Sequence, residues 1–134
     1  MSAADPRTWM LLARSDLQAA VTLATHDRDW HNSAYHAAQS VEKALKAAIV
    51  ATGTVPPRHH DADSLRDALP GGWEVKRKHP DLATMVFYGI AIRYPEDYEA
   101  VTGPKAASAR RTAASVYASV RRDLARRGFD VRGI

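Results

Sequence analysis

The segment from Tyr35 to Gly53, YHAAQSVEKALKAAIVATG, carries polar residues at a spacing that suits binding chemistry. Wound as a helix at about 100° per residue, it leaves roughly a third of its circumference polar. An imidazole, an amide and ammonium groups on one strip can hydrogen-bond a base and attract a phosphate. They can equally form local hydrogen bonds or remain solvated. The strip contains His36, Gln39 and Lys43, flanked by Lys46, Glu42 and Tyr35.

Glu42 borders the apolar side of this helix. A half-buried carboxylate without a partner is costly, so we expect Glu42 to be paired.

A second group of candidate ligand-binding residues is Arg93, Tyr94 and Asp97, within RYPEDY. Arg93 can reach a phosphate, or it can pair with a carboxylate and fasten the break in its helix. Tyr94 can stack on a base, or its ring can pack with the hydroxyl at the surface. The residues alone leave both alternatives open.

Positive charge is concentrated near the end of the sequence. The chain carries +4 overall, but residues 105–134 hold eight Lys and Arg against Asp123 and Asp130, a net of +6. The arginines Arg111, Arg122 and Arg126 fall near one line of a helix. Such a basic face can follow a phosphate backbone, or it can be an ordinary solvated helix surface.

Several classes of site are excluded or disfavoured. The chain has no cysteine, which excludes disulfides, thiolate metal sites and cysteine nucleophiles. His59-His60-Asp61 has no third ligand nearby, and neither GTVPP nor PGGW has the form of a phosphate loop. We therefore predict no metal and no cofactor. No apolar run is long enough to span a bilayer and no signal segment precedes the first helix, so we expect a cytoplasmic protein.

Apolar spacing and end signals predict the helices that position these residues. Asp5-Pro6 begins the first helix, which carries an apolar stripe. The second runs from about Asp29 or His31 to Thr52, where Gly53 stops it. The stripe of the first helix contains Met10, Ala13, Leu17, Ala20, Val21 and Ala24.

Three further helices follow the Pro56-Pro57 loop. A short one ends before PGG, the next begins near Pro80 and breaks at RYPED, and a long one runs from Pro104 to Gly128. No segment alternates as a strand would. The sequence thus predicts a single all-α domain over residues 1–134, an antiparallel four-helix up-and-down bundle with an additional short helix and a tail at about 128–134.

The second helix has two apolar arcs, which predicts a central position. One is a core face, and the other contains only Ala37, Ser40, Ala44, Ala47 and Ala51, small residues that allow another helix to approach closely. A second copy of the chain can supply part of this packing, so we expect a homodimer.

Two stretches together resemble the HEPN domain family. AYHAAQSVEKALKAAIVATGTVPPRHHDADSL is followed some thirty residues later by IRYPEDY, and the order and spacing are similar over nearly the whole chain. The resemblance implies a dimerising helical bundle, often encoded beside a small nucleotidyltransferase in toxin–antitoxin-like pairs. It also implies an association with nucleotides or RNA, because many members are metal-independent ribonucleases.

Those ribonucleases use an Arg followed four to six residues later by a His, and this chain departs from that pattern. The last histidine is His79, so no His follows Arg93. Three functions stay open: a dimeric interaction module with a nucleotidyltransferase partner, an endoribonuclease that uses a different polar set in the dimer cleft, and a stand-alone nucleotide-binding protein.

Overall fold

The computed structural model describes residues 5–58, 61–90, Pro95 and 99–134, and this part of the chain is all-helical. It contains three long helices and three short ones. They are α1 (Pro6–His26), α2 (Trp30–Ala51), α3 (Ala62–Asp67), α4 (Glu74–Lys78), α5 (Ala83–Ile90) and α6 (Gly103–Arg126).

Local signals fix the ends of the long helices as the sequence predicts. The Asp5 carboxylate accepts a hydrogen bond from the backbone N–H of Arg7, and Asp29 caps α2 in the same manner. Beyond the other ends, Gly53 and Gly128 take φ values of 84° and 88°, a left-handed conformation that glycine adopts without strain.

The α2 helix is the centre of an antiparallel bundle. The hydroxyl of Ser33 donates to the Ala20 carbonyl at 2.7 Å, and that of Ser40 donates to the Ala13 carbonyl at 2.8 Å, so α1 and α2 run in opposite directions. The start of α5 lies beside α3, its end reaches the middle of α2, and α6 packs along α2. The predicted all-α four-helix bundle is confirmed.

The small-residue arc of α2 is covered within a single chain. Ala37, Ser40 and Ala47 have no exposed surface and Ala44 is 1% exposed. The hydroxyls of Ser33 and Ser40 on α2 donate hydrogen bonds to backbone carbonyls of α1, so the backbones of the two helices lie close together. The central position predicted for α2 is correct, but a second copy is not needed to bury this arc.

Two details of the fold differ from the sequence prediction. The sequence does not predict helix α4, because five residues are too few to show an apolar period. Its first turn is held by the Asp123 carboxylate of α6, which accepts a hydrogen bond from the Glu74 N–H at 2.6 Å. On α1, Val21 was expected in the buried stripe but is 49% exposed. The buried position in that turn belongs to Ala20.

Candidate functional site

Asp16 organises the polar strip of α2. One carboxylate oxygen lies 2.9 Å from Nδ1 of His36, and the other lies 2.5 Å from Nζ of Lys43. The antiparallel packing of α1 on α2 places the carboxylate between two side chains seven residues apart. Asp16 therefore brings together His36 and Lys43, two residues that the sequence analysis predicts as ligand contacts. Sequence reasoning missed Asp16, although a lone acid inside the apolar stripe of α1 was a usable signal.

The cluster is partly accessible. The side chain of Asp16 is 12% exposed, whereas those of His36 and Lys43 are 33% and 27% exposed. When Nδ1 of His36 carries the proton it donates to Asp16, which leaves Nε2 as an acceptor of hydrogen bonds or protons. A buried carboxylate thus orients an imidazole and an ammonium group that both reach the surface.

Gln39 lies on the same side of α2, next to the end of α5. A Cβ atom added at Gly89 would stand 3.9 Å from Nε2 of Gln39 and 3.7 Å from Cβ of Ala38, so the two helices are close here. The segment with Arg93, Tyr94 and Asp97 follows α5 in the chain. Those three residues, and also His59 and His60, lie outside the described residues.

Lys46 belongs to the interior rather than to the strip. Its Nζ lies 2.8 Å from the Glu42 carboxylate, both side chains are 7% exposed, and the ammonium group stands 5.5 Å from the centre of the Trp9 ring. The expectation that Glu42 is paired is confirmed. Lys46 was proposed as a ligand contact, but burial turns it away from any ligand at the surface.

Two of the three arginines on the predicted line of α6 form ion pairs. Arg122 holds the Glu74 carboxylate through two hydrogen bonds, of 2.9 and 3.2 Å, and Arg126 lies 2.5 Å from Asp123. Hydrogen bonds from Arg122, and then from Lys78, lower the pKa of Glu74 to about 2. Of the predicted line, Arg111 is exposed without such a partner among the described residues. The line exists, but two of its three charges serve to attach α4.

Comparison with known proteins identifies the family. The HEPN domain model matches residues 6–123, most of the chain. The chain belongs to the HEPN domain family. HEPN domains as a class are nucleotide- or RNA-associated modules and commonly dimerise. Neither a curated protein nor a solved structure shows significant similarity to this HEPN domain.

The last histidine of this HEPN domain, His79, forms a hydrogen bond between two parts of the bundle. His79 precedes α5, and its Nε2 lies 2.8 Å from the hydroxyl of Ser115 on α6. Burial, and to a smaller extent the charge of Lys78, lower the pKa of His79. The lowered pKa favours the neutral imidazole, which can form a hydrogen bond with the hydroxyl of Ser115. This bond links the segment before α5 to α6.

The described part of the HEPN domain also contains a pocket of about 580 Å³ between α5 and α6. Met85, Phe87 and Tyr88 line one side, and Ser108 and Thr112 line the other. Burial raises the pKa of the Tyr88 hydroxyl, which favours its neutral form. The lining is largely apolar, but it also contains hydroxyl groups and the charged side chains of Asp81, Glu99 and Lys105.

Two further properties of the described residues bear on the site. No group of three His, Cys, Asp or Glu side chains in this part of the HEPN domain is arranged to hold a metal ion. Among the same residues, no helix has an apolar stretch sufficient to cross a bilayer.

Proposed function

We propose that this HEPN domain, formed by residues 1–134, is a cytoplasmic homodimeric interaction module that binds a nucleotide or RNA. We further propose that it acts with a nucleotidyltransferase partner in a toxin–antitoxin-like pair. The observation that carries the binding function is the cluster in which Asp16 holds both His36 and Lys43. The family supports the dimer, because HEPN domains commonly dimerise.

The cluster supports binding because its groups are placed before a ligand arrives. Holding two flexible side chains in one geometry removes an entropic cost that binding would otherwise include. Lys43 supplies a donor to a phosphate, while His36 and Gln39 supply groups that can meet a base or a ribose hydroxyl. Arg93, Tyr94 and Asp97 are proposed to complete this site from the segment after α5.

Replacing Lys43 by Gln is expected to weaken binding of a fluorescent oligouridylate by roughly tenfold, because one charged hydrogen bond is lost. The dependence of log affinity on log salt should decrease by about 0.7 for the lost phosphate contact on a single strand. Anisotropy titrations at several salt concentrations measure both quantities. Light scattering on the same samples should give the mass of two chains.

Lys105→Gln is the matched control, since Lys105 is 50% exposed and lies 3.7 Å from a carboxylate oxygen of Glu99. It removes the same charge away from the cluster and should bind as the parent does. Equal affinities for Lys43→Gln and the parent would refute the proposed site, and a monomer mass would refute the homodimer.

A metal-independent endoribonuclease is the second candidate, and the Asp16–His36 pair favours it. An imidazole held by a carboxylate can take the proton of a ribose 2′-hydroxyl as that oxygen attacks the adjacent phosphorus. The bond from phosphorus to the 5′-oxygen then breaks, and the leaving oxygen takes up a proton. Against this candidate, the family's usual Arg–His spacing is missing.

The purified protein is therefore expected to leave RNA intact, with or without EDTA. The assay is gel analysis of a labelled oligoribonucleotide after long incubation, with His36→Gln, Asp16→Asn and Arg93→Ala as variants. Cleavage by the parent that disappears in His36→Gln, or in Arg93→Ala, would establish the enzyme in place of the binding module. Cleavage that persists in all three variants would point to a contaminating nuclease.

A further inference from the structure

Residues 128–134, here called the tail, fold back across α1 and α6. After Gly128, the Phe129 N–H donates to the Leu124 carbonyl at 3.0 Å, and the tail then packs Val131 and Ile134 against the core. Five backbone carbonyls of the tail accept hydrogen bonds from three arginine side chains. The pairs are Arg7 with Asp130 (2.9 Å) and Arg132 (2.5 Å), Arg14 with Gly133, and Arg121 with Val131 (3.0 Å) and Ile134 (2.5 Å).

These three arginines differ in their partners from Arg66, the buried arginine of α3. Arg66 is bound by the carboxylates of Asp63 and Asp67, which neutralise it. Arg7, Arg14 and Arg121 donate to main-chain oxygens of the tail, and none of their hydrogen-bond partners among the described residues is a side-chain carboxylate. Three positive charges therefore converge under the tail, and no carboxylate side chain of the described residues forms an ion pair with them; the Asp130 charge that acts on Arg7 belongs to the tail itself.

Tyr117 supplies an independent observation in the same place. Its hydroxyl is buried and has no hydrogen-bond partner in the described part of the chain. Tyr117 stands one turn before Arg121 on α6. Burial raises the pKa of its hydroxyl, while the charges of Arg14, Arg121 and Arg7 act in the opposite direction. A buried hydroxyl without an acceptor is costly, and an anion with spare oxygen atoms would relieve that cost.

We propose that Arg7, Arg14, Tyr117 and Arg121 form a binding site for the phosphates of an RNA backbone, and that the tail occupies this site as an internal competitor. The planar guanidinium fork fits phosphate oxygens better than single carbonyls. Arg7 and Arg14 stand two turns apart on one face of α1, so they can follow successive phosphates. The inference rests on the proposed RNA association but concerns a separate surface from the Asp16 cluster.

The tail is released without changing charge by the double substitution Val131→Ser and Ile134→Ser. This variant is expected to bind the oligouridylate about tenfold more tightly than the parent. Its salt slope should be steeper by about 2, because three arginine contacts to a single strand become available at roughly 0.7 each. Adding Arg14→Gln and Arg121→Gln should cancel most of the gain, whereas adding Arg77→Gln, an exposed arginine on α4, should not.

A second measurement uses the parent chain and does not depend on the variant folding. Saturating oligouridylate should speed hydrogen exchange at the amides of the tail, since RNA and tail cannot occupy the arginines together. Unchanged affinity in the released variant, or tail amides that stay protected in the RNA complex, would overturn the inference. Loss of binding in Lys43→Gln would still support the proposed function in that case. If the released variant bound inorganic tripolyphosphate more tightly than the parent but bound the oligouridylate no more tightly, RNA would be ruled out as the ligand of this site.

Discussion

Ala44→Glu is expected to destabilise the protein by roughly 5 kcal/mol, enough to unfold most of it at ordinary temperature. Ala44 is 1% exposed on the central helix, between residues whose small side chains let α1 approach. Glutamate at this position adds volume to a filled space and a charge with no partner. Urea denaturation followed by circular dichroism measures the loss.

Ala114→Glu is the matched control, because Ala114 is an exposed alanine in the first half of α6. It makes the same chemical change on a solvated face, and its effect should stay within about 0.5 kcal/mol. A stably folded Ala44→Glu protein with the unfolding midpoint of the parent would mean that α2 is not the packed centre of the bundle.

Asp123→Ala should cost about 1–3 kcal/mol, the range found when a buried polar group, here the Glu74 N–H, is left without its partner. The Asp123 side chain is 1% exposed, accepts from the backbone N–H of Glu74 and lies 2.5 Å from Arg126. Without it the first turn of α4 loses its anchor on α6. Denaturation curves give the loss of stability, and hydrogen exchange at residues 74–78 should rise before the remainder of the chain unfolds.

Glu99→Ala controls for the removal of a paired carboxylate. Glu99 is 66% exposed and stands 3.7 Å from Lys105, which is 50% exposed. Exposed pairs contribute about 0–1 kcal/mol, so this variant should resemble the parent. If Asp123→Ala were equally mild, α4 would have to be held by the packing of Trp73 and Val75 instead of by the carboxylate.

The long helices were predictable because their causes are local. Asp5-Pro6 and Gly53 act through the backbone within one or two turns, and the apolar period of α2 needs no knowledge of its neighbours. Helix α4 was not predictable in this way. Its five residues have no period, and the group that fixes its first turn, Asp123, is 49 residues away in the sequence.

The candidate site was predictable only in part. The spacing of His36, Gln39 and Lys43 placed them on one strip, which depends on helix geometry alone. Sequence could not show that Asp16 would reach two of them, because that contact depends on the register between α1 and α2. Lys46 shows the opposite error: the strip pattern suggested a surface lysine, and only tertiary packing shows that Trp9 and Glu42 enclose it.

The double role of Asp16 has a consequence for how such a domain can change over evolution. One carboxylate holds an imidazole and an ammonium group on neighbouring turns of α2, so a single mutational step at Asp16 alters both the order and the charge of that surface. A neutral replacement frees two side chains together and adds one net positive charge. A single amino-acid substitution at Asp16 therefore separates a surface on which His36 and Lys43 are held in place from one on which both side chains are unrestrained and the net charge is more positive.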